Sequence, residues 1–275
     1  MTNTFILKTG RRGYGFELQR VAADLTEATF RIYVAFSLAK HDIAARYRGS
    51  ILGPFWITLS LGATILGIGT LYSRLFKEEL IGFLPYIAVG LTAWGFISMT
   101  IVEGCDCFVS ASAILRQSAV PMFTFVWRTV IRNLMILAHN LLVLVCVFAW
   151  SGGSYVGIPL ALLGLVAITG ILAPIACLVA VVAARFRDVP QIIGSLMQFA
   201  MFVTPVFWKS NQFNETSALL RWNPFYYMLD ALRSPLMSTP LNPLTWPVLI
   251  GLLVVAWIVA LLVFAATRRR VVHYL

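Results

Sequence analysis

The sequence predicts an all-α polytopic membrane protein. It has six transmembrane helices, an N-terminal amphipathic interfacial helix, and re-entrant helices between spans 5 and 6. Three observations carry this. The chain is 60% hydrophobic and only 12% charged, with a mean hydropathy of +0.85, where a soluble domain is about half apolar and a quarter charged. Several apolar runs reach the ~20 residues that cross ~30 Å of hydrocarbon. The basic residues behind the net charge of +10 flank those runs instead of forming one surface. That pattern sets membrane orientation and argues against nucleic acid as a partner.

Residues 1–48 form a cytoplasmic tail and interface helix, and residues 49–275 the transmembrane domain. Within the first part, residues 1–16 read as tail. From there Leu18, Val21, Leu25, Ala28, Ile32, Phe36, Ala39 and Ile43 recur at helical spacing. Arg20, Asp24, Glu27 and Arg31 form an opposing stripe with two favourable pairs four apart. Phe30, Val34 and Leu38 widen the apolar face, which suits a helix in the interface plane or one packed on a partner domain. Phe16–Arg31 is too charged for a cleavable leader, so the first span is expected to direct insertion.

Span 1 covers about 53–73, with Pro54 in its first turn. A polar loop with Arg74, Lys77, Glu78 and Glu79 leads to span 2, about 83–104. Span 3 covers about 125–149; Arg128 and Arg132 lie near its start, where they can snorkel to headgroups. Ser151-Gly-Gly-Ser154 is a turn. Span 4 covers about 157–184, with a kink expected at Pro174, and span 5 about 189–208. Residues 209–244 begin polar and become aromatic and Pro-rich. Trp222-Asn-Pro-Phe-Tyr-Tyr227 starts an amphipathic helix too short to span, so it is interfacial or re-entrant. Span 6 covers about 246–267 and ends on Arg268–Arg270.

Six spans place both termini on one side. Most Lys and Arg, from Lys8 to Arg48 and then Arg116, Arg185, Arg187 and Arg268–Arg270, fall there, so both termini are cytoplasmic. The four cysteines lack the spacing of metal or redox pairs and read as structural. No phosphate-binding G-x-x-x-x-G-K-[ST] loop and no H-E-x-x-H motif occurs. His139 in span 3 is suited to pairing with a polar neighbour, and no acidic relay lies at mid-membrane. No catalytic residue, metal ligand or bound cofactor is expected of this chain. Aromatic residues concentrate at span ends, as in an interfacial belt. Span 5 also mixes Gln198, Phe199, Phe202, Thr204, Phe207 and Trp208, a combination suited to lining a pore for a sugar chain.

Four motifs occur in order: Arg46-Tyr-Arg-Gly-Ser-Ile-Leu-Gly-Pro-Phe-Trp56, Ala184-Arg-Phe-Arg-Asp-Val189, Thr204-Pro-Val-Phe-Trp208 and Asn223-Pro-Phe-Tyr-Tyr227. With the amphipathic helix and six spans, the chain resembles the membrane subunit of ABC type-2 polysaccharide exporters, the permeases for O-antigen, capsule and teichoic acid. The resemblance runs from about Leu18 to the C-terminus.

The resemblance implies a homodimer in a bacterial inner membrane. Each copy would dock on a separate cytoplasmic ATPase subunit, two in all, which carries the ATP and Mg. It implies a coupling helix within Phe108–Met122, with Phe108, Ile114, Leu115, Arg116 and Pro121 at the ATPase; Ile114-Leu-Arg116 and Val120-Pro121 replace the family's Lys and Phe-Pro. Arg46 and Arg48 would stand at the cytoplasmic entrance, against the phosphates of a lipid-linked polysaccharide or against membrane headgroups. Trp56, Tyr72, Phe199, Phe202, Phe207 and Trp208 would line the pore. The re-entrant segment is placed around Leu219–Leu236, with Asn223, Pro224, Tyr226 and Tyr227 at its start. Two rivals stay open: a permease of the same fold for a lipid or drug, and an intramembrane transferase or hydrolase.

Overall fold

In the computed structural model, residues 14–117, 120–152, 155–209 and 218–274 are described; helices α1 to α11 hold most of them and none is in a strand. Residues 1–13 of the tail, with Lys8, Arg11 and Arg12, lie outside the described residues. So do Ser154 of the Gly-rich turn and most of the polar stretch after Lys209.

The expected single amphipathic helix is two helices. α1 (Tyr14–Phe30) and α2 (Ile32–Arg46) are separated at Arg31, whose φ of −97° and ψ of 31° leave the helical region. The Arg31–Glu27 pair forms at 3.2 Å. Asp24 corrects the polar stripe: it is 4% exposed and turned into the protein. Phe30, Tyr33 and Phe36 stay exposed on the outer surface.

Among the described residues, five helices are long and apolar enough to cross a membrane: α3 (Phe55–Phe76), α4 (Leu80–Cys105), α6 (Phe123–Ser151), α7 (Ile158–Arg185) and α11 (Thr245–Tyr274, apolar to Arg268). The protein is therefore a multi-pass membrane protein. Their bounds match the predicted spans 1 to 4 and 6 within a few residues. α8 (Val189–Val203) is apolar but has 15 residues, about 22 Å at 1.5 Å per residue. It stops because Thr204 is extended, with φ −92° and ψ 139°, as a residue preceding proline prefers. Among the described residues, three further short helices are α5 (Ser112–Gln117), α9 (Ala218–Arg221) and α10 (Pro224–Leu236).

α4 is the central helix, with α3, α6, α7, α8 and α10 packed on it, while α11 lies along α7. Two thirds of its apolar window is buried, against 17% for α3. One end of the bundle carries α1, α2, α5 and the close of α11; the other carries α10. At the α10 end, a Cβ added at Gly157 would meet the Pro235 carbonyl oxygen at 1.7 Å, and one at Gly164 the Ala231 oxygen at 2.6 Å. Only glycine lets α10 lie this close to α7. Two apolar clusters follow this division: a large one around α4, and a smaller one joining Val21, Phe108, Phe123, Phe125 and Phe264 at the α1 end.

Candidate functional site

At the α1 end the sequence sets two acids and three arginines on different helices, and the fold brings them together. Arg128 and Arg132 are one turn apart on α6, Glu103 is near the end of α4, and Asp42 and Arg46 are one turn apart on α2. Arg128 donates through Nε to Asp42 Oδ2 at 2.7 Å and through Nη2 to Oδ1 at 2.5 Å. Arg132 bridges both acids, reaching Asp42 Oδ2 at 2.9 Å and Glu103 Oε2 at 2.8 Å. Asn133 Nδ2 donates to the same Glu103 oxygen at 2.9 Å. Arg46 donates to Glu103 Oε1 at 2.9 Å.

The side chains of Asp42, Arg128, Arg132 and Glu103 are 14–16% exposed, so solvent weakens these pairs little. Burial alone would raise the Asp42 carboxyl; the hydrogen bonds and charges of Arg128 and Arg132 outweigh it and hold it below the ordinary carboxylate range. The arginines thus fasten α2 to α4 and α6, which corrects the expectation that Arg128 and Arg132 snorkel to headgroups. Neither Asp42 nor this cluster is visible in the sequence, because its ion pairs join residues 29 to 90 positions apart.

Asp24 makes a second fastening. It accepts from the backbone N–H groups of Met122 at 3.2 Å and Phe123 at 2.9 Å, and from Arg268 at 2.7 Å. A carboxylate at the start of α6 meets the positive end of the helix dipole, while Arg268 ties it to α11.

Between these fastenings in the chain lies the segment expected to couple to an ATPase. Phe108 is fully buried and stacks on Phe264 at 6.1 Å. Pro121 is buried and Leu115 packs on the same cluster. Ile114 and Arg116 on α5 face outward. The predicted set therefore divides into residues that hold the segment and residues that present it. Burial pushes the nearby Cys107 thiol up to about 12, so it is an unreactive packing group.

The backbone of the Arg46–Trp56 motif accounts for its glycines. Gly49 has φ +82° and Gly53 φ +55°, values that residues with a Cβ rarely adopt. Ser50 Oγ accepts from Gly53 N at 3.1 Å, turning the chain from α2 into α3. Arg48 is exposed beside it, and Ile51 is 100% exposed.

The proposed pore residues form no single group. Tyr72, Phe207 and Phe202 form a chain, with ring centroids 5.9 Å and 6.4 Å apart. Trp208 joins them by donating its indole N–H to the Phe202 carbonyl at 3.1 Å. Phe199 faces outward on α8, and Trp56 is exposed at the opposite end of α3 from Tyr72. In the segment before α11, Asn223 caps α10 by accepting from Phe225 N and bonds Thr204 Oγ1 at 3.0 Å. Pro224 is the first residue of α10, and Tyr227 donates to the Arg221 carbonyl at 3.0 Å. Tyr226 meets Tyr227 edge to face at 5.1 Å. His139 has Nδ1 2.8 Å from the Met135 carbonyl of its own helix.

Residues 33–237 match the ABC-2 type transporter family. The chain belongs to that family, and is a transport subunit. It is also 26% identical over 205 residues to the O-antigen export system permease protein RfbA of Myxococcus xanthus, covering 72% of this chain and 78% of that one.

Proposed function

We propose that this protein is the permease subunit of an ATP-driven exporter that carries a lipid-linked polysaccharide, of the O-antigen type, out of the cytoplasm across a bacterial inner membrane. The observation that carries the reading is the charged fastening of α2 to α4 and α6, with α5 following α4 in the chain and presenting Ile114 and Arg116 outward. A force applied at α2 would pass through these charges into two spanning helices. The family membership implies a separate ATPase to apply it, and the named relative supports the glycan as cargo.

In the finer reading α8 and the turn after it serve as the fifth of six spans, both termini are cytoplasmic, and α1 and α2 lie at the cytoplasmic interface. α10 is re-entrant from the outside. Two copies form the pore along their two-fold axis, and each docks on one of two ATPase subunits that hold ATP and Mg. Tyr72, Phe202, Phe207 and Trp208 flank the outer part of the path, while Trp56 stands at its inner mouth. Arg48 faces the carrier phosphate or headgroups; Arg46 is engaged by Glu103 at rest.

Deleting the gene in a strain without a redundant exporter tests this. Lipid-linked glycan is expected to accumulate in the cytoplasmic leaflet and surface glycan to fall. Normal surface glycan would overturn the assignment.

A further inference from the structure

At the α10 end lies a cavity of about 730 Å³. It is bounded by the start of α4, the turn after α8, α10 and the chain leading to α11. Its lining includes Tyr86, Lys209, Tyr226, Asp230, Arg233 and Asn242, a polar set in a chain that is 60% hydrophobic. We propose that this cavity is a binding site for a neutral saccharide. The inference deepens the export reading and rests on it: the site would hold sugar residues of the glycan as they leave.

Charge selects the class of ligand. Lys209 pairs with Glu78 at 2.7 Å, and Arg233 shares the lining with Asp230. Glu78 stands outside the lining but offsets Lys209, and Asp230 within the lining offsets Arg233, so little net field favours an anion.

Hydrogen bonding shows spare capacity of both kinds. Asp230 accepts from Ser234 Oγ at 2.5 Å, from Asn242 N at 3.1 Å and from Thr245 Oγ1. A carboxylate has about four acceptor positions, so one remains. Arg233 is 7% exposed. It donates to the carbonyls of Pro205 at 2.6 Å and Val206 at 3.2 Å, and its Nε has no partner among the described residues. A buried guanidinium has about five N–H donors, and leaving them unmet is costly. A ligand hydroxyl both donates and accepts, and so can use an Asp230 acceptor and a terminal Arg233 donor together.

The aromatic walls are not equivalent. Arg233 lies 3.8 Å from the Tyr86 ring centroid, and Phe83 stacks on the same ring at 5.9 Å. Tyr86 is therefore a fixed wall. Tyr226 is half-buried, with Tyr227 at its edge. Its ring lines the same cavity, and a sugar face would rest against it.

The test uses the permease assembled with its ATPase in nanodiscs. Maltotriose, chitotriose and mannotriose serve as neutral probes and inorganic phosphate as the anionic one, read by saturation-transfer NMR. At least one trisaccharide is expected to bind saturably and not to be displaced by phosphate. Tyr226→Ala should weaken it about fivefold to tenfold, and Tyr226→Phe, which keeps the ring, should stay within about twofold. If Tyr226→Ala does not assemble, Lys209→Gln is expected to weaken binding by a few fold. Failure of all three trisaccharides to bind, displacement by phosphate, or unchanged binding in the variant would overturn the site. Failure here with glycan retained in the deletion strain removes only this site. Saccharide binding with normal glycan export in that strain removes the export reading instead.

Discussion

Asp42 of α2 receives both Nε and Nη2 of Arg128 on α6, at 2.7 Å and 2.5 Å, across 86 positions of sequence. This two-point contact fixes the helix in orientation as well as in place. Arg132 shares Asp42 Oδ2 and carries the link on to Glu103. α2 is thus held to two spanning helices by one connected set of charges.

Replacing Asp42 by Asn should therefore leave Arg128 and Arg132 short of countercharge in a largely buried setting. Breaking a buried pair from one side costs about 3–5 kcal/mol; the remaining exposure lowers our expectation to about 2 kcal/mol. Thermal unfolding in detergent should show the loss, and transport should fall more steeply than expression. A variant with wild-type stability and transport would remove the fastening from the mechanism.

The pH response has a definite sign. The Asp42 carboxyl is held below its ordinary value in the folded protein, so its contribution is fully present above the unfolded value, about 3.9. It is lost as pH falls through the lowered folded value. Coupling of ATP hydrolysis to transport should show no Asp42-linked change between about pH 8 and pH 5. Hydrogen exchange in α2 should rise only below about pH 4. Loosening of α2 near pH 6 would contradict this account.

How far the sequence reached depends on the range of each interaction. The five long apolar helices were legible because spanning hydrocarbon imposes a composition on a continuous stretch. The end of α8 at Val203 was obscured by its letters: Val206, Phe207 and Trp208 extend the apolar run after the backbone has turned. The Thr204-Pro205 step carried the missing signal. Asp24 read as part of a surface stripe because periodicity gives no account of Met122, Phe123 and Arg268, which claim it from distant positions. Asp42 failed for the same reason. The motif around Arg46 was legible as a junction, while its left-handed glycines and the Glu103 contact were not.

The two arginines of that motif should separate experimentally. Arg46→Ala breaks the contact with Glu103 and should lower stability measurably. Arg48 is exposed, so Arg48→Ala should stay within about 0.5 kcal/mol of wild type. If Arg48 meets carrier phosphate, that variant should bind vesicles doped with an isoprenyl phosphate more weakly than wild type, and vesicles of anionic phospholipid equally. An equal loss on both would assign Arg48 to headgroups.

The proposed coupling segment makes a parallel contrast. Phe108→Ala removes a fully buried ring stacked on Phe264 and should cost about 3–5 kcal/mol. Arg116→Ala, on the outward face of α5, should change stability by no more than about 0.5 kcal/mol. It should nevertheless reduce co-purification of the ATPase subunit. Undiminished co-purification would move the docking surface away from α5.

Gly157 tests whether the seating of α10 matters to transport. Its Cβ position is occupied by the Pro235 carbonyl, 1.7 Å away, and backbone cannot rotate aside as a flexible side chain does. Gly157→Ala must therefore push α10 away from α7. The loop position limits the damage to the α10 end, so the Asp42 fastening and ATPase binding should persist. We expect a folded, ATPase-bound permease with defective transport and faster hydrogen exchange in α10. Gly152, a left-handed helix cap with no atom near its Cβ position, provides the control. Gly152→Asn, a residue that tolerates this conformation, should transport normally. If Gly157→Ala also transports normally, close seating of α10 is dispensable for moving the cargo.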